Sequence, residues 1–208
     1  MPRTVDHEQR RRHIVDALLR ITGTRGLEAV SLREVAQEAG VSMGAVQHYF
    51  ATKDEMLLFA LDHWLTLGVH ERFTARVRSR LVREAASEPA ALLRLMAAEY
   101  LPYDEPSRSD VRVAMAFLSR AAVEPVLAAA LTPAFHGFVT ALDEILHGLI
   151  GPARAPIEAR RLAALLDGLR PPVLIGALAH EDAMAVIDHH LRQLSAEPGT
   201  AKLRRRPV

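Results

Sequence analysis

Between Ser42 and Lys53 the chain concentrates side chains that bind rather than react. Ser42, Gln47, His48, Tyr49, Thr52 and Lys53 offer hydroxyl, amide, imidazole, phenol and ammonium groups on one short stretch. Met43, Gly44 and Ala45 lie among them, and the last two lack bulk, so a helix carrying them can approach a grooved partner closely. The chemistry suits a polyanion. A Gln47 amide presents a donor and an acceptor to a base edge or a phosphate. Lys53, beside Thr52 at a helix start, adds an ammonium to the positive end of the helix dipole. The hydroxyls of Ser42 and Thr52 cap helices and can also donate to a phosphate. Ser31 and Arg33, at the start of the preceding helix, join the same candidate set.

Reactive chemistry finds no comparable footing. The 208 residues contain no cysteine, so thiol nucleophiles, disulfides and Cys-ligated zinc are excluded. His7-Glu8 and His180-Glu181 each open a metalloprotease-like pattern, but Arg11 and Met184 stand where its second histidine belongs. His189 and His190 are adjacent and point apart on a helix. Neither a nucleophile elbow nor a phosphate-binding glycine loop is present. The expectation is a protein with no catalytic residue, no metal and no cofactor.

Local signals position the binding residues. Ile14, Leu18 and Ile21 follow helical spacing and predict a helix over 6–24, stopped at Gly26. Ser31 and Glu34 form a capping-box pair that opens a second helix, whose inward face holds Leu32, Val35, Ala36 and Ala39 and which ends at Gly40. Ser42 caps a third helix with Val46 and Phe50 inward, which leaves Gln47, His48 and Tyr49 on the other side. Thr52 and Glu55 open a fourth. Two short helices joined by a tight glycine turn and braced by a third are a helix-turn-helix unit, although spacing alone does not separate it from an ordinary three-helix corner.

Beyond residue 55 the chain reads as helices punctuated by proline. One passes through Trp64 and Phe73, others open at Pro89, near Asp110 and at Pro133, and two lie near the end. No stretch alternates as a strand, so the fold class is all-α: an N-terminal three-helix helix-turn-helix domain and a larger helical bundle. Residues 125–142 carry no Asp, Glu, Lys or Arg. With Pro133, His136 and Gly137 inside, the segment reads as two buried soluble helices separated at Pro133 rather than a membrane span. The charged N-terminus, with Asp6, Glu8 and Arg10 to Arg12, does not fit a secretion signal, and a cytoplasmic location is expected. Net charge is +1, and six arginines against three acids in residues 1–25 give a local balance of +3. Contact with a polyanion must therefore use placed charges. Arg204 to Arg206 suggest a basic flexible tail over 196–208.

The segment SLREVAQEAGVSMGAVQHYFATKDEML, residues 31–57, resembles the DNA-binding domain of TetR-family transcriptional regulators. Leu101-Pro-Tyr-Asp104 and Ala116-Phe-Leu118 resemble the sensing domain of the BetI-like subgroup. The resemblance implies a homodimer reading a palindrome-like operator in double-stranded DNA, with residues 1–55 binding DNA and 56–195 sensing an effector and dimerising. It implies a repressor released by a small molecule, and with aromatics only 5% of the chain a mostly apolar one fits better than a quaternary ammonium held in an aromatic cage; a sequence-tolerant architectural DNA-binding protein without a ligand is the alternative. Met96, Tyr100, Tyr103, Met115, Phe117, Phe135, His136 and Phe138 would line the effector cavity. Many members carry an aromatic at the position of Gln47, where it packs on the DNA backbone, so the contact made by Gln47 stays open. The helix resembling the dimer helix, about 157–179, contains Pro171 and Pro172, which should kink or split it. The rows Leu162, Leu165, Leu166, Leu169 and Val186, Ile187, His190, Leu194 suit a seam between subunits.

Overall fold

The computed structural model describes residues 2–84 and 88–196, and no strand occurs among them. Helix α1 (Pro2–Arg25) buries Ile14, Val15, Leu18, Ile21 and Thr22 along one face. The Thr22 hydroxyl is satisfied by donating to the Leu18 carbonyl. After a single 3₁₀ turn, Ser31 caps α2 (Leu32–Ala39) by accepting the Glu34 amide at 3.1 Å. Only this half of the expected capping box forms, because the Glu34 carboxylate pairs with Arg25 at 2.9 Å. Gly40 stops α2 in the left-handed region, φ 66°, which a side chain would strain, and Val41 N–H returns to the Ala36 carbonyl.

Ser42 then caps α3 (Met43–Tyr49), and Thr52 caps α4 (Lys53–His63). The Glu55 carboxylate reaches past Thr52 to accept the Ala51 amide and, with its other oxygen, Arg11 of α1. That guanidinium also lies over the rings of Phe50 and Phe59 at 4.5 and 4.3 Å, so one arginine ties α1 to the chain on both sides of the α3–α4 turn. Helix α4 continues through a π-helical turn, Trp64–Val69, into α5 (His70–Glu84). Gly68 is buried in that turn, with a Trp64 ring carbon 3.4 Å from where a Cβ would lie.

Two compact units result. The first comprises residues 1–75 and 104–134. Its core includes Leu18, Val35, Val46, Phe50, Leu57, Leu61, Trp64, Val113 and Phe117. Helix α7 (Glu105–Ala121) lies against α1: Arg112 donates to the Gly23 carbonyl at 2.9 Å, and a Cβ on Gly23 would meet Ser109 Oγ at 2.1 Å. The second unit comprises residues 76–103 and the described residues from 135 onward. It contains α6 (Pro89–Tyr100), α9 (Ala155–Leu174) and α10 (His180–Ala196), with Ala98, Leu101, Val173, Ala183 and Met184 packed together. Buried Glu99 is neutralised by Arg76 at 2.9 Å and Arg80 at 3.2 Å and accepts the Tyr103 hydroxyl at 2.8 Å.

The proline-based boundaries need correction. Helix α8 (Pro125–Ile150) runs unbroken through Pro133. The proline sits on an exposed face, where water can satisfy the carbonyl that its missing N–H leaves open. Nor is the segment buried in the chain: Val126 and Phe135 are 64% and 54% exposed, and 11% of the most apolar window is buried. Helix α7 starts at Glu105 rather than near Asp110, because Asp104 and Ser107 form a complete capping box. Helix α9 is not split by Pro171 and Pro172. They occupy its last turn: Asp167 and Gly168 lose their i+4 donors, but the Pro171 and Pro172 carbonyls still accept the amides of Ile175 and Ala177, and the helix ends at Leu174. Of the proposed seam rows, Leu162, Leu166, Ile187, His190 and Leu194 are already buried within the chain, and Glu158 of α9 faces His190 of α10. The expected basic tail, beyond Ala196, lies outside the described residues.

Candidate nucleic-acid interface and effector region

The α3 segment builds a presenting surface by burying its other side. Val46 and Phe50 are 0% and 1% exposed, which fixes the rotation of the helix, and Met43, Gly44, Gln47 and His48 consequently face solvent. Among the described residues, apart from its chain neighbours and its own helix backbone, only Ser42 Oγ, at 3.9 Å, lies within 4 Å of a Cβ built on Gly44, so the helix start is open. Ala45 is half-buried. Tyr49 is half-buried between two imidazoles, with His7 of α1 at 4.9 Å and His48 at 5.1 Å between ring centroids. The phenol is thereby oriented before any partner arrives.

Three hydroxyls mark the helix starts around this surface. Ser31, Ser42 and Thr52 are exposed and accept the amides of Glu34, Ala45 and Glu55 at 3.1, 3.1 and 3.0 Å. Each oxygen is used as an acceptor, and its proton stays available to an incoming phosphate oxygen. Arg33 is exposed on the first turn of α2. Lys53 has a second attachment that its sequence position does not disclose: its half-buried ammonium donates to the Val30 carbonyl at 2.7 Å. Two of its three donors remain for a phosphate. Arg11, which the sequence offers within the Arg10 to Arg12 run as a contact to flanking backbone or as a solvated helix face, instead positions this surface through Glu55. Its spacing of 44 residues from Glu55 left no local signal.

The eight effector candidates divide between the two units. Met115 and Phe117 belong to the first unit, where Phe117 is fully buried in the core and Met115 is partly exposed. The other six belong to the second. Met96 is buried, Tyr103 is engaged with Glu99, and Phe135 and His136 are exposed on α8. Tyr100 and Phe138 do meet, stacked at 4.6 Å with 10° between ring planes. Asp167 and Arg170 of α9, which the sequence reading did not single out, complete that cluster. A surface depression of about 610 Å³ between α6 and α10 is lined by Ala90, Arg94, Asp188 and Leu191, and none of the eight candidates lines it.

An all-helical chain that exposes a capped α3 with small residues at its start and polar residues beyond defines a helix-turn-helix transcriptional regulator. Residues 14–59 match the family model for bacterial regulatory proteins of the tetR family, and residues 89–196 match that for the C-terminal domain of BetI-type transcriptional repressors. The HTH-type transcriptional regulator PksA of Bacillus subtilis (strain 168) is 33% identical over 100% of both chains. A transcriptional regulator from Rhodococcus sp. Rha1 superposes with a TM-score of 0.76 at 34% identity, covering 88% of this chain and 95% of that one. The multidrug binding protein EbrR, solved in complex with imidazole, gives a TM-score of 0.62 at 26% identity over 92% of this chain and 97% of its own. The chain belongs to the TetR family of transcriptional regulators.

Proposed function

We propose that the protein is a cytoplasmic repressor that binds a palindrome-like operator as a homodimer and is released by a small, mostly apolar effector. The exposed face of α3, held outward by buried Val46 and Phe50, carries this reading. Residues 1–55 supply the reading head, with Gln47, His48 and Tyr49 toward base edges. Ser31, Arg33, Ser42, Thr52 and Lys53 face phosphates, and Met43, Gly44 and Ala45 allow the approach. Residues 56–195 supply sensing and pairing. EbrR, with its bound imidazole, supports a sensing role for the corresponding part of this chain.

The partner of the apolar α8 face is a second copy of the chain. An uncharged run of eighteen residues with Val126 and Phe135 outward is unfavourable in water, and pairing across a two-fold axis buries both copies at once. Effector binding favours a state in which the two α3 helices no longer match successive major grooves, and operator affinity falls by population shift. A gel-shift titration against the DNA upstream of its own gene, with random duplex as competitor, tests the assignment. A retarded species that resists random competitor is expected, and equal affinity for both duplexes overturns it.

A further inference from the structure

Three groups from three helices form a layered stack in the second unit. Phe138 of α8 covers one face of the Tyr100 ring at 4.6 Å, and the guanidinium of Arg170 covers it from α9 at 4.3 Å. The edge of the stack is closed by polar bonds. The Tyr100 hydroxyl donates to Asp167 at 2.6 Å and accepts from Arg170 at 3.2 Å, and Arg170 and Asp167 stand 3.7 Å apart as an ion pair. The Arg170 side chain is 16% exposed, so the guanidinium is largely withdrawn from water.

An aromatic face backed by a second ring, with a carboxylate at its edge, is what recognises a small organic cation. Here the protein's own side chain fills that seat. We infer that Arg170 is a specificity-determining residue: by occupying the cation seat on Tyr100 it makes the sensing domain refuse organic ammonium ions, so that the effector is uncharged or anionic. This rests on the reading of residues 56–195 as the sensing domain. The seat is held by charge as well as volume, because an ammonium arriving at the same ring would stand beside the Arg170 guanidinium, which is largely withdrawn from water. Displacing Arg170 would also remove the cation that Asp167 and the Tyr100 hydroxyl share. The restriction comes from one side chain, and its removal should therefore reverse it.

The test is a gain of function in the full chain. Arg170→Ala leaves Tyr100, Phe138 and Asp167 in place and empties the ring face; Arg170→Lys keeps a cation there. Calorimetric titration uses tetramethylammonium chloride, choline chloride, and the neutral isostere of choline in which carbon replaces nitrogen, with sodium chloride as ionic control. Wild type and Arg170→Lys are expected to bind none of them. Arg170→Ala is expected to bind the two cations at least about tenfold more tightly than wild type and to discriminate against the neutral isostere. Wild-type binding equal to that of Arg170→Ala overturns the inference. So does a cooperatively folded Arg170→Ala protein that gains no cation, or one that takes the isostere equally well. Operator gel shifts on the same samples separate the two readings. Cation uptake by Arg170→Ala with no operator binding by any variant defeats the repressor reading and leaves the role of Arg170 standing. Operator binding with no gain of cation does the reverse.

Discussion

Replacing Lys53 by alanine removes two interactions that different instruments read. Inside the chain, the ammonium loses its bond to the Val30 carbonyl. A hydrogen bond to a charged group contributes about 1.5–3 kcal/mol when shielded, and the half-exposed position of Lys53 brings this to about 1 kcal/mol. For a chain of this size that lowers Tm by roughly 2–4 °C. On DNA, the variant loses one phosphate contact per half-site. The slope of log affinity against log salt should become shallower by about 0.9 for each contact, or about 1.8 for a dimer on two half-sites. Fluorescence anisotropy with labelled operator and random duplex, titrated between about 50 and 200 mM salt, gives that slope, and both duplexes should weaken alike because an ammonium on a phosphate reads no base. Lys53→Arg retains the charge and should keep the slope. A lowered Tm with an unchanged salt slope would refute the phosphate role and leave Lys53 as a tie to Val30 alone.

Gln47 should fail differently: Gln47→Ala is expected to lose about 1–3 kcal/mol per half-site on operator and much less on random DNA, and equal losses at one salt concentration would refute base readout. Phe135→Glu places a charge on the outward face of α8 and should convert the dimer to monomer at micromolar concentration in sedimentation equilibrium; an undiminished dimer would move the interface elsewhere. Burial pushes the His190 pKa below its usual value, Arg161 and His189 push it further, and Glu158 opposes them. The unfolded chain therefore takes up more protons in mild acid, and stability, full above about pH 6.5, should fall as pH drops below it. His190→Gln should flatten the change in urea midpoint across that range, and an unaltered pH dependence would exonerate His190.

Elements specified by nearby residues were legible in the sequence. Ser31, Ser42 and Thr52 cap the helices they were expected to cap, and Gly40 takes the left-handed turn that only a glycine takes without strain. Val46 and Phe50 are inward, as their spacing of four requires. Proline misled the reading wherever its context was tertiary. At Pro133 solvent exposure, and at Pro171 and Pro172 a position in the last helical turn, lets the helix absorb a residue that would break it elsewhere. Apolar periodicity showed that Leu162, Leu166, Ile187 and Leu194 are buried, but a row does not say whether its partner lies in the same chain. Tyr100 and Phe138 are recognisable as aromatic candidates, yet their stack and its arginine unite positions up to 70 residues apart, beyond any local signal.

The π-helical turn at Trp64–Val69 sets a phase. An α-helix advances about 100° per residue, and a π turn winds one residue more into the same rise. The residues on either side of the turn therefore obey the same spacing rule with different zero points. Met56, Leu57, Ala60 and Leu61 keep one inward bearing on α4, Trp64 opens the π turn buried as well, and beyond Gly68 the inward bearing of α5 is counted afresh. Deleting one residue between Leu65 and Gly68 would let the turn relax to ordinary helix while keeping both bearings. Inserting one in the middle of α5 would swing every later side chain by about 100° with no slack to absorb it. The helix thus tolerates the loss of one residue at this address, where a change of one residue a few turns away has no such turn to relax.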